Sequence, residues 1–276
     1  MPPFHPHPIL FLGLVVAGSL HAWAVGERRL RRRAVAGWLI LALVVLWPVG
    51  DLAASVSLSV ATMQRLIIML AVAPLLLSSL STSHLIALTR PAPIDAVARR
   101  VAHPLLSITF VTVVGTLTLS TPVVDEGAQS SWIRLLTLGA VLACGVVLWI
   151  PAFAVMPGAA RLSPVGRAGF IFVSSIVVTS LSLVWIFARH SLYPALHGQE
   201  SLVHMTPLLD QQVAGFIAKL GSYLPLWAVA FFIFSRADEA GTAVDESPLH
   251  WADVERELLR VDRQRAHARR RAGRES

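Results

Sequence analysis

The stretch WIRLLTLGAVLACGVVLWIPAF, residues 132–153, decides the fold. It carries a single charge, Arg134. A bilayer's hydrocarbon core is about 30 Å thick, and a helix needs about 20 apolar residues to cross it. Lipid offers no partner to an open backbone, so a continuous run of this length reads as a helix. A barrel strand would show short alternating segments instead.

Six further runs share this character. Working outward, helices are expected at Ile9 to Val25, Val35 to Val49, Val60 to Leu80, Leu105 to Val124, Ala168 to Phe187 and Val213 to Phe234. The expected fold class is therefore all-α, a polytopic transmembrane helical bundle of about seven spans. Of the 276 residues 55% are hydrophobic and 14% charged, against about 25% charged in a soluble domain. Residues 1–8 read as an outer segment, 9–234 as the membrane domain and 235–276 as a basic cytoplasmic tail.

Loop charges set the orientation. The first, third and fifth loops hold Arg28, Arg29, Arg31, Arg32 and Arg33, then Arg90, Arg99 and Arg100, then Arg161 and Arg167. The second and fourth hold no basic residue but carry Asp51, Asp125 and Glu126. Arginine recurs through the tail. Cytoplasmic loops are enriched in Lys and Arg, which puts the amino end out and the carboxyl end in. No Lys or Arg precedes the first run, so it is expected to be a retained helix rather than a cleaved signal peptide. The net charge of +7 thus reads as a topology signal, and nucleic acid is not expected as a partner. In the tail, Trp251, Val254, Leu258 and Val261 fall on one helical face. That helix would either lie on the anionic inner leaflet or be solvated.

Trp23, Trp47, Trp132, Trp149, Trp185 and Trp227 lie near expected span ends, as an interfacial aromatic belt would. Pro74, Pro151 and Pro225 are expected to kink or cap spans. Cys144 stands alone, which excludes an internal disulfide and reads as packing.

Three cations fall inside expected spans: Arg65, Arg134 and Lys219. At 1.5 Å per residue all three lie within about 10 Å of the outer span ends. Charges at such depth are costly and default to function. They either snorkel to the headgroups or form a polar cluster with Asp51, Asp125 and Asp210, which lie at the same level. The sixth loop gathers His190, His197, His204 and Met205. Histidine and methionine suit copper, so His197, His204 and Met205 are candidate ligands, with a solvated loop as the other reading. No nucleotide loop, nucleophile elbow or haem-holding histidine pair occurs, so no enzymatic activity is expected.

The segment Met63-Gln64-Arg65-Leu66-Ile67-Ile68-Met69-Leu70-Ala71-Val72-Ala73-Pro74 resembles the signature of the CtaG-type cytochrome c oxidase assembly factors. Gln64, Met69 and Pro74 carry that likeness. His103-Pro104, Pro122, Trp149-Ile150-Pro151 and Tyr193-Pro194 follow in the family's order. Asp210-Gln211-Gln212 with Gly215 resembles its Asp-Gln-Gln-x-x-Gly. The resemblance implies a multi-pass protein of the bacterial plasma membrane that helps build the haem-copper oxidase, with copper as its possible cargo. Its partners would be oxidase subunits, other assembly factors and the lipid bilayer. The family's candidate copper ligands are histidines near the outer ends of helices three, four and five. The matching positions here are Ala61, Arg65, Ser120, Arg134 and Leu138. Arginine keeps its proton and offers no lone pair. The expectation is a relative whose metal site became a salt-bridged polar cluster. Arg65→Leu would then destabilise the fold by leaving a buried acid unpaired. A small transporter or anion-binding protein built on the same cations is the alternative.

Overall fold

The computed structural model describes residues 7–153, 155, 162–193 and 205–245, without the side chains of 54, 55 and 238–245. The chain divides into two compact units, residues 1–233 and 234–276. Of the second, residues 234–245 are described and are helical. The expected tail helix lies outside the described residues.

The regular elements among the described residues are all helices, with no strand. In order they form α1 (Pro8–Ala24), α2 (Arg28–Val45), α3 (Val49–Ser55), α4 (Leu58–Ile67), a π-helical turn (Ile68–Val72), α5 (Ala73–Ser78) and α6 (Thr82–Leu88). There follow α7 (Ala92–Val101), α8 (Pro104–Leu117), α9 (Thr121–Gln129), α10 (Ser131–Phe153), α11 (Pro164–Val178), α12 (Leu181–Ile186) and α13 (Pro207–Asp245). Leu58–Ser78, Ser131–Phe153, Pro164–Ile186 and Pro207–Ala237 are long and apolar enough to cross a membrane. A fifth crossing results if α7 and α8, bent by 91°, form one broken span.

The other expected runs are helical but shorter or interrupted. α1 has 17 residues. α2 begins on its arginines and stops before Pro48, and α8 stops before Ser120 and Pro122. Proline lacks the N–H that a continuing helix needs.

α10 is the centre of the membrane domain. It packs on α5, α8, α9, α11 and the π turn, and its Val147, Leu148, Trp149 and Ile150 are buried in the largest core cluster. Leu12, Leu39, Leu105, Leu136 and Phe231 lie exposed on the helix surfaces. An aqueous surface would not favour so many exposed apolar side chains, whereas lipid tails would solvate them.

Pro48, Pro74 and Pro151 each leave a carbonyl without a backbone donor, and each of these carbonyls is answered by a side chain from another helix. In a continuing helix the N–H of residue 48 would bond Val44, but that residue is Pro48. Gln64 Nε2 donates to the Val44 carbonyl instead, at 2.6 Å. Pro151 removes the donor due to Val147, and Ser107 Oγ supplies it at 2.9 Å. In the π turn the Ala73 N–H goes to Ile68. That leaves Met69 facing Pro74, and Trp149 Nε1 donates to the Met69 carbonyl at 2.9 Å. In lipid, where water is absent, such substitutions keep the backbone satisfied. Trp149, bonded to Met69, and Trp185, bonded to the Tyr193 hydroxyl, are buried, whereas Trp23 and Trp132 are exposed as a belt requires.

Candidate functional site

The site lies where α4, α10 and α13 begin. Ser57 caps α4, its Oγ accepting from Val60 N at 3.3 Å. The first backbone N–H groups of α4 have no partner within the helix. Asp210, near the start of α13, supplies one. Its carboxylate accepts from Leu58 N (2.6 Å), Ser59 N (3.2 Å) and Ser57 Oγ (2.8 Å). Ser59 Oγ returns a bond to the Asp210 carbonyl at 2.8 Å. A carboxylate here also complements the positive end of the α4 dipole. Asp210 was expected beside a cation; it is instead a clamp between two helix starts.

The neighbouring motif residues extend that clamp. Gln211 Oε1 accepts from Leu192 N at 2.8 Å, and Gln212 Nε2 donates to Ala188 O at 3.2 Å. Gly215 lets α13 approach α12, because a Cβ there would lie 2.7 Å from Ile186 Cγ1 and 2.9 Å from Ser182 O. Tyr193 is held on the same side. Its hydroxyl accepts from Trp185 Nε1 at 3.0 Å and donates to Leu119 O at 2.8 Å. Burial pushes this phenol up to about 12, against the opposing pull of the Trp185 N–H and the Arg65 charge.

The three intramembrane cations occupy three separate settings. Arg134 Nη1 lies 3.5 Å from Asp51 Oδ1, and His7 Nε2 reaches the same oxygen at 2.9 Å. Lys219 Nζ donates to Thr179 Oγ1 at 3.3 Å and lies 4.6 Å from the centre of the Tyr223 ring. Arg65 donates to Thr118 twice, from Nη1 to Oγ1 at 2.8 Å and from Nη2 to the carbonyl at 2.7 Å. Asp125 is half-buried on α9. Of the expected acid–cation cluster, the structure brings together Arg134 and Asp51.

This arrangement revises what Arg65→Leu should do. No acid bonds to Arg65 among the described residues, so none is left unpaired. Thr118 Oγ1 keeps its own bond to Gly115 O at 2.8 Å. Removing a buried charge offsets the loss of its bonds, and the stability change should stay within about 1 kcal/mol. Thermal unfolding in detergent checks this; a drop of several kcal/mol would restore a buried acid partner to the picture.

Two cavities meet at Arg65. One, of about 70 Å³, is lined by Ala61, Arg65, Arg134 and Leu138 together with Thr118 and Leu119. Four of the five positions that the resemblance set against histidines thus face one space, and the fifth, Ser120, follows directly on the lining residue Leu119. The other, of about 100 Å³, lies between α8, α10, α11 and α13 and includes Thr62, Cys144 and Ser174 in its walls.

Copper finds no fit in the first cavity. Alanine and leucine have no donor atom there, and two guanidinium groups repel a cation. Among the described residues no three His, Cys, Asp or Glu side chains group to hold a metal. His197 and His204 lie outside the described residues, and Met205 is half-buried just before α13. His103 precedes Pro104 at the bend into α8 and caps that helix without a side-chain bond.

Sequence reasoning missed Thr118, the partner of Arg65, and the Ser57–Ser59 side of the Asp210 clamp. The latter had a signal: serine directly before an apolar helical run is a helix-start signature.

The family model described as cytochrome c oxidase caa3 assembly factor matches residues 10–238. No curated protein and no solved structure matches the chain.

Proposed function

We propose, from the premise that this chain belongs to the cytochrome c oxidase caa3 assembly factor family, that it assists oxidase assembly by protein contact, with fixed positive charge in place of a metal. It does so as a seven-span protein of the bacterial plasma membrane with its amino end outside. The alternation of arginine-rich and acidic loops supports that orientation. Its role is non-catalytic, and its partners are oxidase subunits or other assembly factors.

The observation that carries the reading is the shared cavity of Ala61, Arg65, Arg134 and Leu138. The likeness to the family places histidines at these positions. A bound metal would bring positive charge to this space, and Arg134 beside Asp51 brings it permanently. Copper insertion through this cavity is therefore no part of the proposed mechanism. Deleting the gene should lower the membrane content of assembled haem-copper oxidase, read from haem absorbance. The tagged chain should co-purify with oxidase subunits in mild detergent. Unchanged oxidase content together with no co-purifying subunit would contradict the proposal.

A further inference from the structure

The larger cavity has a chemistry that the assembly role does not use. Its walls are mostly apolar, with Leu66, Leu70, Val111, Leu148, Val178 and Leu226 among them. Its enclosed volume is about 100 Å³, which at roughly 10–15 Å³ per water leaves room for a slender guest.

The polar groups in these walls divide into two kinds. Ser174, Ser175, Ser182 and Ser222 donate their hydroxyls to carbonyls three or four residues earlier, at 2.7, 2.7, 2.5 and 2.6 Å. Their donors are spent. Thr62 and Arg65 differ. Thr62 is 4% exposed, and its hydroxyl has no partner among the described residues. A guanidinium offers five N–H donors, and Arg65 directs bonds to Thr118 alone. The two residues stand three apart on α4, so they share one helix face. Unused donors and a positive charge thus gather at one place in an otherwise apolar space. A buried charge without a counter-charge is costly, and an anion seated against Arg65 and Thr62 removes that cost.

We propose that this cavity binds a single-chain anionic amphiphile, with its ionised carboxylate or phosphate on Arg65 and Thr62 and its apolar chain along Val111, Leu148 and Leu226. A free inorganic anion would use the cation but leave the apolar walls empty. A neutral amphiphile would fill the walls but leave the charge uncompensated.

The test is titration of the purified full-length chain in neutral detergent with a fluorescent long-chain fatty acid. Displacement by the matching long-chain alcohol and by inorganic phosphate provides the controls. Saturable binding of about one equivalent is expected, with the alcohol and phosphate each competing at least tenfold more weakly than unlabelled fatty acid. Arg65→Gln, which removes the charge, should weaken binding at least tenfold. Ala218→Phe, which enlarges another lining residue and leaves Arg65 in the chain, should do the same and serves as the second variant should Arg65→Gln fail to fold. Equal competition by the alcohol, equal competition by phosphate, or undiminished binding in a folded variant would each overturn the proposal. Copper content and oxidase assembly do not enter these readouts, so the assembly proposal stands or falls separately.

Discussion

Asp210→Ala should cost about 3–5 kcal/mol, the range for breaking a buried charged network. The carboxylate is 3% exposed and accepts three bonds from Ser57, Leu58 and Ser59. Alanine leaves two backbone N–H groups and a hydroxyl without an acceptor in a buried place, and α4 loses its negative cap. Asp210→Asn keeps an acceptor oxygen but gives up the charge, and should lose about half as much. Hydrogen bonds to charged acceptors are worth roughly twice neutral ones. Thermal unfolding of both variants in one detergent measures the order. Equal stability of Asp210→Ala and the parent chain would show that the clamp does not hold the helix starts together.

Trp149→Ala should also cost about 3–5 kcal/mol, the usual price of truncating a large buried aromatic. The side chain is 4% exposed and stacks near Phe153, with ring centres 5.0 Å apart. Beyond the cavity it leaves, alanine strands the Met69 carbonyl, which lost its backbone donors to the π turn and to Pro74. Trp149→Phe separates the two contributions: it keeps most of the volume, loses the N–H, and should cost about 1–3 kcal/mol. A Phe variant as unstable as the Ala variant would mean that hydrogen bonding, not volume, dominates here. The same logic links Ser107 to Pro151 and Gln64 to Pro48.

What the sequence conveyed and what it withheld follow from the range of each interaction. Apolar runs are local, so the helices at residues 132–153 and 60–80 could be read directly. Their interruptions were harder. Pro48 and Pro122 are visible, but how far a proline shortens a helix depends on which neighbour answers the freed carbonyl. Ser107 and Val147 are forty residues apart, and Gln64 and Val44 twenty. The candidate site behaved likewise. Depth along a helix put Arg134 at the level of Asp51, and the two side chains lie 3.5 Å apart. It could not tell which direction Arg65 would face around α4, and that direction decides for Thr118 over an acid. The motif residues Gln64, Met69, Pro74, Asp210 and Gly215 are recognisable in sequence as a pattern. Their reasons are backbone repair, a helix cap and a close helix approach, and these reasons exist only across helices. Gly145 gave no sequence signal at all. A Cβ there would lie 2.7 Å from Ala73 Cβ and 2.9 Å from Met69 Cα, so it sets how closely α10 meets the π turn.

Fixed charge in place of a metal is the centre of this account, and elemental copper content tests it most directly. The purified full-length chain is loaded with copper, dialysed and measured, beside a variant carrying Ala at His197 and His204. The account predicts no copper above background in either protein. About one copper per chain, lost in the double variant, would contradict it by placing metal on the loop before α13.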